Sequence, residues 1–132
     1  MPGRAPQKSA RRANAARPDW VYLPRDGFAG VVPAWPIGEP TVEQAVLWLD
    51  LWRTPQAHAW VDLGWIRPVA RYACLVLICE GPDMTAALLA ELRQMEDRLG
   101  LSPMALRRLQ WEIESAPLEA VGVDGNVTEL FG

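Results

Sequence analysis

The sequence predicts an all-α protein: a compact bundle of about five helices with a disordered basic N-terminal arm and a flexible C-terminal tail. Three observations predict it. Half of the 132 residues are hydrophobic, the content of a globular chain with one modest core. From residue 41 onward the apolar stretches are bracketed by helix-start and helix-stop residues. Residues 1–18, MPGRAPQKSARRANAARP, lack large apolar side chains and cannot order themselves in isolation. The chain therefore divides into a basic arm (1–18), an extended strap (19–40), a helical core (41–114) and a tail (115–132).

The strap, DWVYLPRDGFAGVVPAWPIGEP, contains prolines that forbid a helix. Its Trp20, Tyr22, Phe28 and Trp35 predict that it packs aromatics onto a body, its own or a neighbour's. Thr41 and Gln44 form a capping box that opens a helix to about Arg53. Thr54-Pro55 caps and starts a second helix, which Gly64 stops. Pro68 opens a third to Glu80, with Gly81 beyond it. Its centre, ACLVLIC, also suits a buried strand, but the length from Pro68 to Gly81 favours a helix. Asp83 starts a fourth helix, ending at Gly100 and carrying the stripe Leu88, Leu92, Met95 and Leu99. Ser102 caps a fifth, with Pro103 at its first position, running to about Glu114.

Composition and residue inventory point away from catalysis and from membranes. Residues 1–18 hold Arg4, Lys8, Arg11, Arg12 and Arg17 and no acid, whereas the other 114 residues carry 8 basic and 16 acidic side chains. A +5 arm on a −8 body predicts a polyanionic partner for the arm. No signal peptide is visible, Pro2, Pro6 and Pro18 argue against a transit peptide, and the longest apolar run, Ala73–Cys79, is too short to span a bilayer. A soluble intracellular protein is expected. Cys74 and Cys79 read as buried reduced thiols, and a single histidine, His58, makes a zinc site improbable. There is no phosphate-binding glycine loop, and His58 has no evident nucleophile partner. Glu96-Asp97 and Glu112/Glu114 read as solvated faces, with Arg93 and Asp97 as an i,i+4 ion pair. No catalytic residue, metal or cofactor is assigned.

Residues 99–113, LGLSPMALRRLQWEI, can be read in two ways. Leu99-Gly100-Leu101-Ser102 followed by a helix with Arg107 and Arg108 outward has the outline of a helix-turn-helix. Against it, Glu96 stands where the motif favours a small residue, and the preceding helix is twice the length required. A helical hairpin with surface arginines fits equally. Arg107 and Trp111, four apart on that helix, can stack. The seven tryptophans are not interleaved with basic residues in mid-chain, which favours core and subunit-interface packing over stacking on single-stranded bases.

The ordered succession AWPIG, LWLDLWRTPQAHAW, LGWIRPVARYACLVL and LLAELRQMEDRLGLSPMALRRLQWEI, over roughly residues 33–114, resembles the phage terminase small subunit of tailed phages and prophages of actinobacteria. The resemblance implies a non-catalytic protein in the host cytoplasm. It assembles as a ring-like homo-oligomer, recognises double-stranded viral DNA, and delivers it to a large subunit that supplies ATPase and nuclease. Some members hold DNA with a separate helix-turn-helix domain and others with basic segments around the ring. On this reading Arg4, Lys8, Arg11, Arg12, Arg17, Arg107 and Arg108 bind DNA. Leu75, Val76, Ile78, Trp48 and Trp52 form the oligomer interface, and Leu130 and Phe131 dock the large subunit. The rival readings are a helix-turn-helix transcriptional regulator, expected to be a dimer, and an adaptor that binds no DNA.

Overall fold

The computed structural model of the chain describes residues 18–115. Within them the order is β1 (Val21–Leu23), α1 (Val42–Leu51), α2 (Gln56–Leu63), α3 (Ile66–Cys79), α4 (Ala86–Arg98), α5 (Pro103–Leu109) and β2 (Trp111–Ile113). Five helices appear where five were expected, but the fold is not strictly all-α. β1 and β2 pair in parallel, Val21 opposite Trp111 and Leu23 opposite Ile113. The pairing joins the strap to the segment that follows α5.

Local chemistry sets the helix limits. Thr41 accepts from the Gln44 N–H at 3.1 Å while the Gln44 side chain accepts from the Thr41 N–H at 3.0 Å, the reciprocal capping box. α2 ends at Gly64, and α3 begins at Ile66, two residues before Pro68. Proline is tolerated there because the first-turn N–H groups have no intrahelical partner to lose. α4 begins after Thr85 rather than at Asp83, because the Thr85 hydroxyl accepts from the Leu88 N–H at 3.1 Å. α5 stops at Leu109, five residues short of expectation: Gln110 adopts a left-handed φ of 62°. The chain then turns into β2, where Trp111 is buried.

The core is a run of aromatics fed from the strap. Phe28 meets Trp52 edge-on at 5.9 Å between centroids, and Trp35 meets Trp48 at 5.1 Å. Trp48, Trp52 and Trp60 continue the run at 5.5 and 5.6 Å, all near T-shaped, the geometry ring quadrupoles favour. Most polar tips are satisfied. Trp48 Nε1 donates to the Pro33 carbonyl at 2.7 Å and Trp60 Nε1 to the Leu99 carbonyl at 2.9 Å. Trp52 Nε1 finds no oxygen or nitrogen acceptor, and rings surround it. The strap is held by its main chain too: the Phe28 N–H donates to the Thr54 carbonyl at 3.2 Å. Gly27, at φ 96°, lies so close over the Arg53 carbonyl that a Cβ would collide with it. The strap thus packs on its own subunit.

α4 covers α3 with the half-buried Leu88, Leu92 and Met95 and the buried Leu99 that caps it. Glu96, on the same helix, accepts the Tyr72 hydroxyl at 2.8 Å. Burial first, then this bond and the carboxylate's charge, push the Tyr72 hydroxyl above the usual phenol range, so it remains a donor. The expected Arg93–Asp97 pair does not form. Asp97 instead accepts from Ser102, and Arg98 pairs with Glu91 at 3.9 Å.

Candidate nucleic-acid interface

The corner from α4 through α5 to β2 carries the two arginines that the sequence singles out. It is fastened from below. The Gln56 side chain, 8% exposed, donates to the Gly100 carbonyl at 3.0 Å, one residue after the carbonyl that Trp60 holds. Gly100 sits at φ 78° with the Trp111 indole against its Cα, where any Cβ would overlap the ring. Ser102 then works twice. Its hydroxyl accepts from the Ala105 N–H at 3.1 Å, capping α5, and donates to Asp97 Oδ1 at 2.8 Å, tying α5 back to α4.

This frame places Arg107 and Arg108 side by side, exposed, in the last turn of a seven-residue helix. Cations at that end complement the helix dipole. Arg108 Nη2 also donates to the Asp97 carbonyl at 2.8 Å. Arg107 faces an open groove of about 510 Å³ lined by Trp20, Pro103, Leu106, Trp111, Glu112 and Ile113. Trp111 has left the helix, so it is not stacked with Arg107 at helical spacing but shares this groove with it. A recognition helix reads bases from its N-terminal residues. Here that end carries Pro103 and Met104, and the arginines stand at the other.

Residues 18–115 contain eight arginines against thirteen acidic side chains, a net charge of −5. Arg25 pairs with Asp26 at 3.6 Å and Arg53 with Asp50 at 3.7 Å. Among the described residues, Arg67, Arg71, Arg93, Arg107 and Arg108 form no ion pair. The Arg107/Arg108 patch therefore sits on a surface of net negative charge, on which Arg67, Arg71 and Arg93 are further exposed cations.

The other sequence-predicted residues fall in three places. Trp48 and Trp52 are 4% and 1% exposed, buried by their own subunit. Leu75 and Val76 are half-buried on α3, and Ile78 on the same helix is 43% exposed. Arg4, Lys8, Arg11, Arg12, Arg17, Leu130 and Phe131 lie outside the described residues. Cys74 and Cys79 are free thiols, half-buried rather than buried, and Gln44 Nε2 donates to Cys74 Sγ at 3.6 Å. His58 is exposed on α2. Among the described residues no cluster of metal-ligating side chains forms, and no helix is long and apolar enough to cross a membrane.

Sequence reasoning missed Trp20 and Ile113 as walls of the Arg107 groove, and Gln56 as its support. Trp20 and Ile113 lie some ninety residues apart and meet only through the strand pairing. Gln56 gives no local signal, because its partner is 44 residues away.

One comparison with known proteins bears on this corner and on the chain around it. A family model described as phage terminase small subunit matches residues 1–130. No curated protein and no solved structure matches the chain significantly.

Proposed function

The chain belongs to the phage terminase small subunit family, and from that premise we propose that it is the DNA-recognition and regulatory subunit of a viral packaging machine. It binds the double-stranded genome, assembles as a ring-like homo-oligomer, and delivers DNA to the large ATPase–nuclease subunit while regulating it. It supplies no catalytic group of its own. The setting is the cytoplasm of the phage's host, an actinobacterium by the sequence resemblance.

The observation that carries the DNA reading is the partition of charge. Five cations and no acid occupy residues 1–18, while residues 18–115 carry a net charge of −5. Such a body repels phosphate nearly everywhere, leaving the arm and the Arg107/Arg108 patch as the places DNA is held. The arm residues Arg4, Lys8, Arg11, Arg12 and Arg17 are the principal phosphate contacts. Short α5, with its arginines at the C-terminal end, supports a phosphate-contacting role over base reading and weighs against the transcriptional-regulator alternative. Oligomerisation falls to the later turns of α3, where Leu75 and Ile78 remain incompletely covered by their own chain and Val76, packed against the core, is half-buried.

Duplex affinity measured over a salt series tests this. An arm that neutralises five phosphates contributes roughly 4–5 to the slope of log K against log salt. Deleting residues 1–18 is expected to weaken binding to all sequences and to flatten the slope by about that amount per engaged subunit. Unchanged affinity and slope in the deletion would remove the arm from DNA binding and favour an adaptor.

A further inference from the structure

We propose that subunits join head to tail, with Met104 on α5 of one copy seated in the groove between α1 and α3 of the next. The inference rests on the reading of the chain as a homo-oligomer, and it supplies the surface that meets the later turns of α3. The groove holds about 420 Å³. Cys74, Leu77, Ile78 and Pro82 give it apolar walls, and its charged lining residues, Glu43 and Asp83, are both acidic. Neither acid forms an ion pair among the described residues. Val42 and Met84, next in the chain to these acids, are exposed apolar side chains, and Glu80 is a further exposed acid at the end of α3. The basic residue preceding Ile78 on the same helix is Arg71, about 10 Å back along it. An apolar groove edged by acids fits an apolar knob flanked by cations.

The outward face of α5 is such a knob. Met104 is 73% exposed, and its unbranched side chain adapts to irregular gaps. Arg107 and Arg108 follow three and four residues later, so they stand one turn on, to either side of it. α5 carries no acid. The acids nearest to it in the chain are engaged: Asp97 accepts from Ser102, and Glu112 already has a partner. The two surfaces lie at opposite ends of α4. Pro82 and Asp83 precede its Thr85 cap, while Leu99 to Ser102 lead from its far end, about 20 Å away, into α5. Unlike patches at opposite ends are what a head-to-tail contact requires, and such a contact can close into a ring. Pairing groove to groove would set Glu43 and Asp83 against like charges, and pairing corner to corner would do the same with the arginines. A seated Met104 leaves Arg107 and Arg108 beside the neighbour's acids, which agrees with the arm as the principal phosphate contact.

Light scattering on full-length variants tests this without DNA. Met104→Asp and Ile78→Asp each spoil one of the two surfaces, both at exposed positions. Each alone should reduce the particle to single subunits with an unchanged circular dichroism spectrum. Mixed in equal amounts, they should form pairs of about twice the 14.7 kDa subunit mass, because the intact groove of the first meets the intact corner of the second. Charge gives a second test. Arg107→Glu/Arg108→Glu should weaken self-association at least tenfold, and adding Glu43→Arg/Asp83→Arg to the same chain should restore it. A Met104→Asp variant that keeps the wild-type mass, or mixed variants that stay single subunits, would overturn the inference and leave self-assembly through α3 standing. A wild type that is itself a single subunit would overturn self-assembly, and this contact with it.

Discussion

The Trp48–Trp52–Trp60 layer and the later turns of α3 are both apolar, yet the chain treats them in opposite ways. The tryptophans are 4%, 1% and 0% exposed, ringed by edge-on neighbours, and two of the three place their N–H on a named carbonyl. On α3, Val69, Ala70 and Ala73 are buried, but Leu75 and Val76 are half-covered and Ile78 is 43% exposed. Apolar composition alone does not separate interior from interface. Rings enclosed by other rings mark the first, and apolar side chains left partly in water near the end of a helix mark the second.

Breaking the tryptophan layer should have the largest effect. Trp52→Ala removes the ring that touches Phe28, Trp48 and Trp60, and urea denaturation should show a loss of about 3–5 kcal/mol. A loss under 1 kcal/mol would mean that the layer is not the core. Next comes the corner that the layer supports. Gly100→Ala must hold a left-handed φ of 78° and displace Trp111, at a cost of about 1–3 kcal/mol by the same measurement. Ser102→Ala, which removes the α5 cap, should cost about 0.5–2 kcal/mol. Smallest in stability are the later turns of α3. Ile78→Asp is expected to shift the unfolding free energy by no more than about 0.5 kcal/mol while lowering the solution mass. A large destabilisation there with the mass retained would reverse the comparison.

Much of this was legible in the residues. Thr41 with Gln44 and Ser102-Pro103 gave two helix starts, because caps are local chemistry written in neighbouring positions, and Thr54-Pro55 with Gly64 gave a third start and a stop, although the Thr54 hydroxyl donates to the Leu51 carbonyl at 2.8 Å instead of capping. Thr85 was passed over for Asp83, since both are capping residues and only the fold decides which side chain meets the free N–H. The strands were missed for a different reason. Trp20-Val21-Tyr22-Leu23 is rich in strand formers, but Trp111-Glu112-Ile113 continues the helical spacing of Leu106 and Leu109, and the partners lie ninety residues apart. The same miss hid the groove, whose walls exist only once β1 and β2 pair. Trp48 and Trp52 were placed at a subunit interface because an aromatic surplus suits interfaces and cores alike. The strap that covers Trp48 through Trp35 and Pro33 settles where they are buried.

The most direct measurement is the solution mass of the full chain by light scattering, at low and high salt. Each subunit weighs 14.7 kDa. A particle of many subunits at both salt concentrations, reduced in size by Ile78→Asp, is the predicted result. A monomer or a clean dimer at both would contradict the ring and the assignment of α3 as its seam.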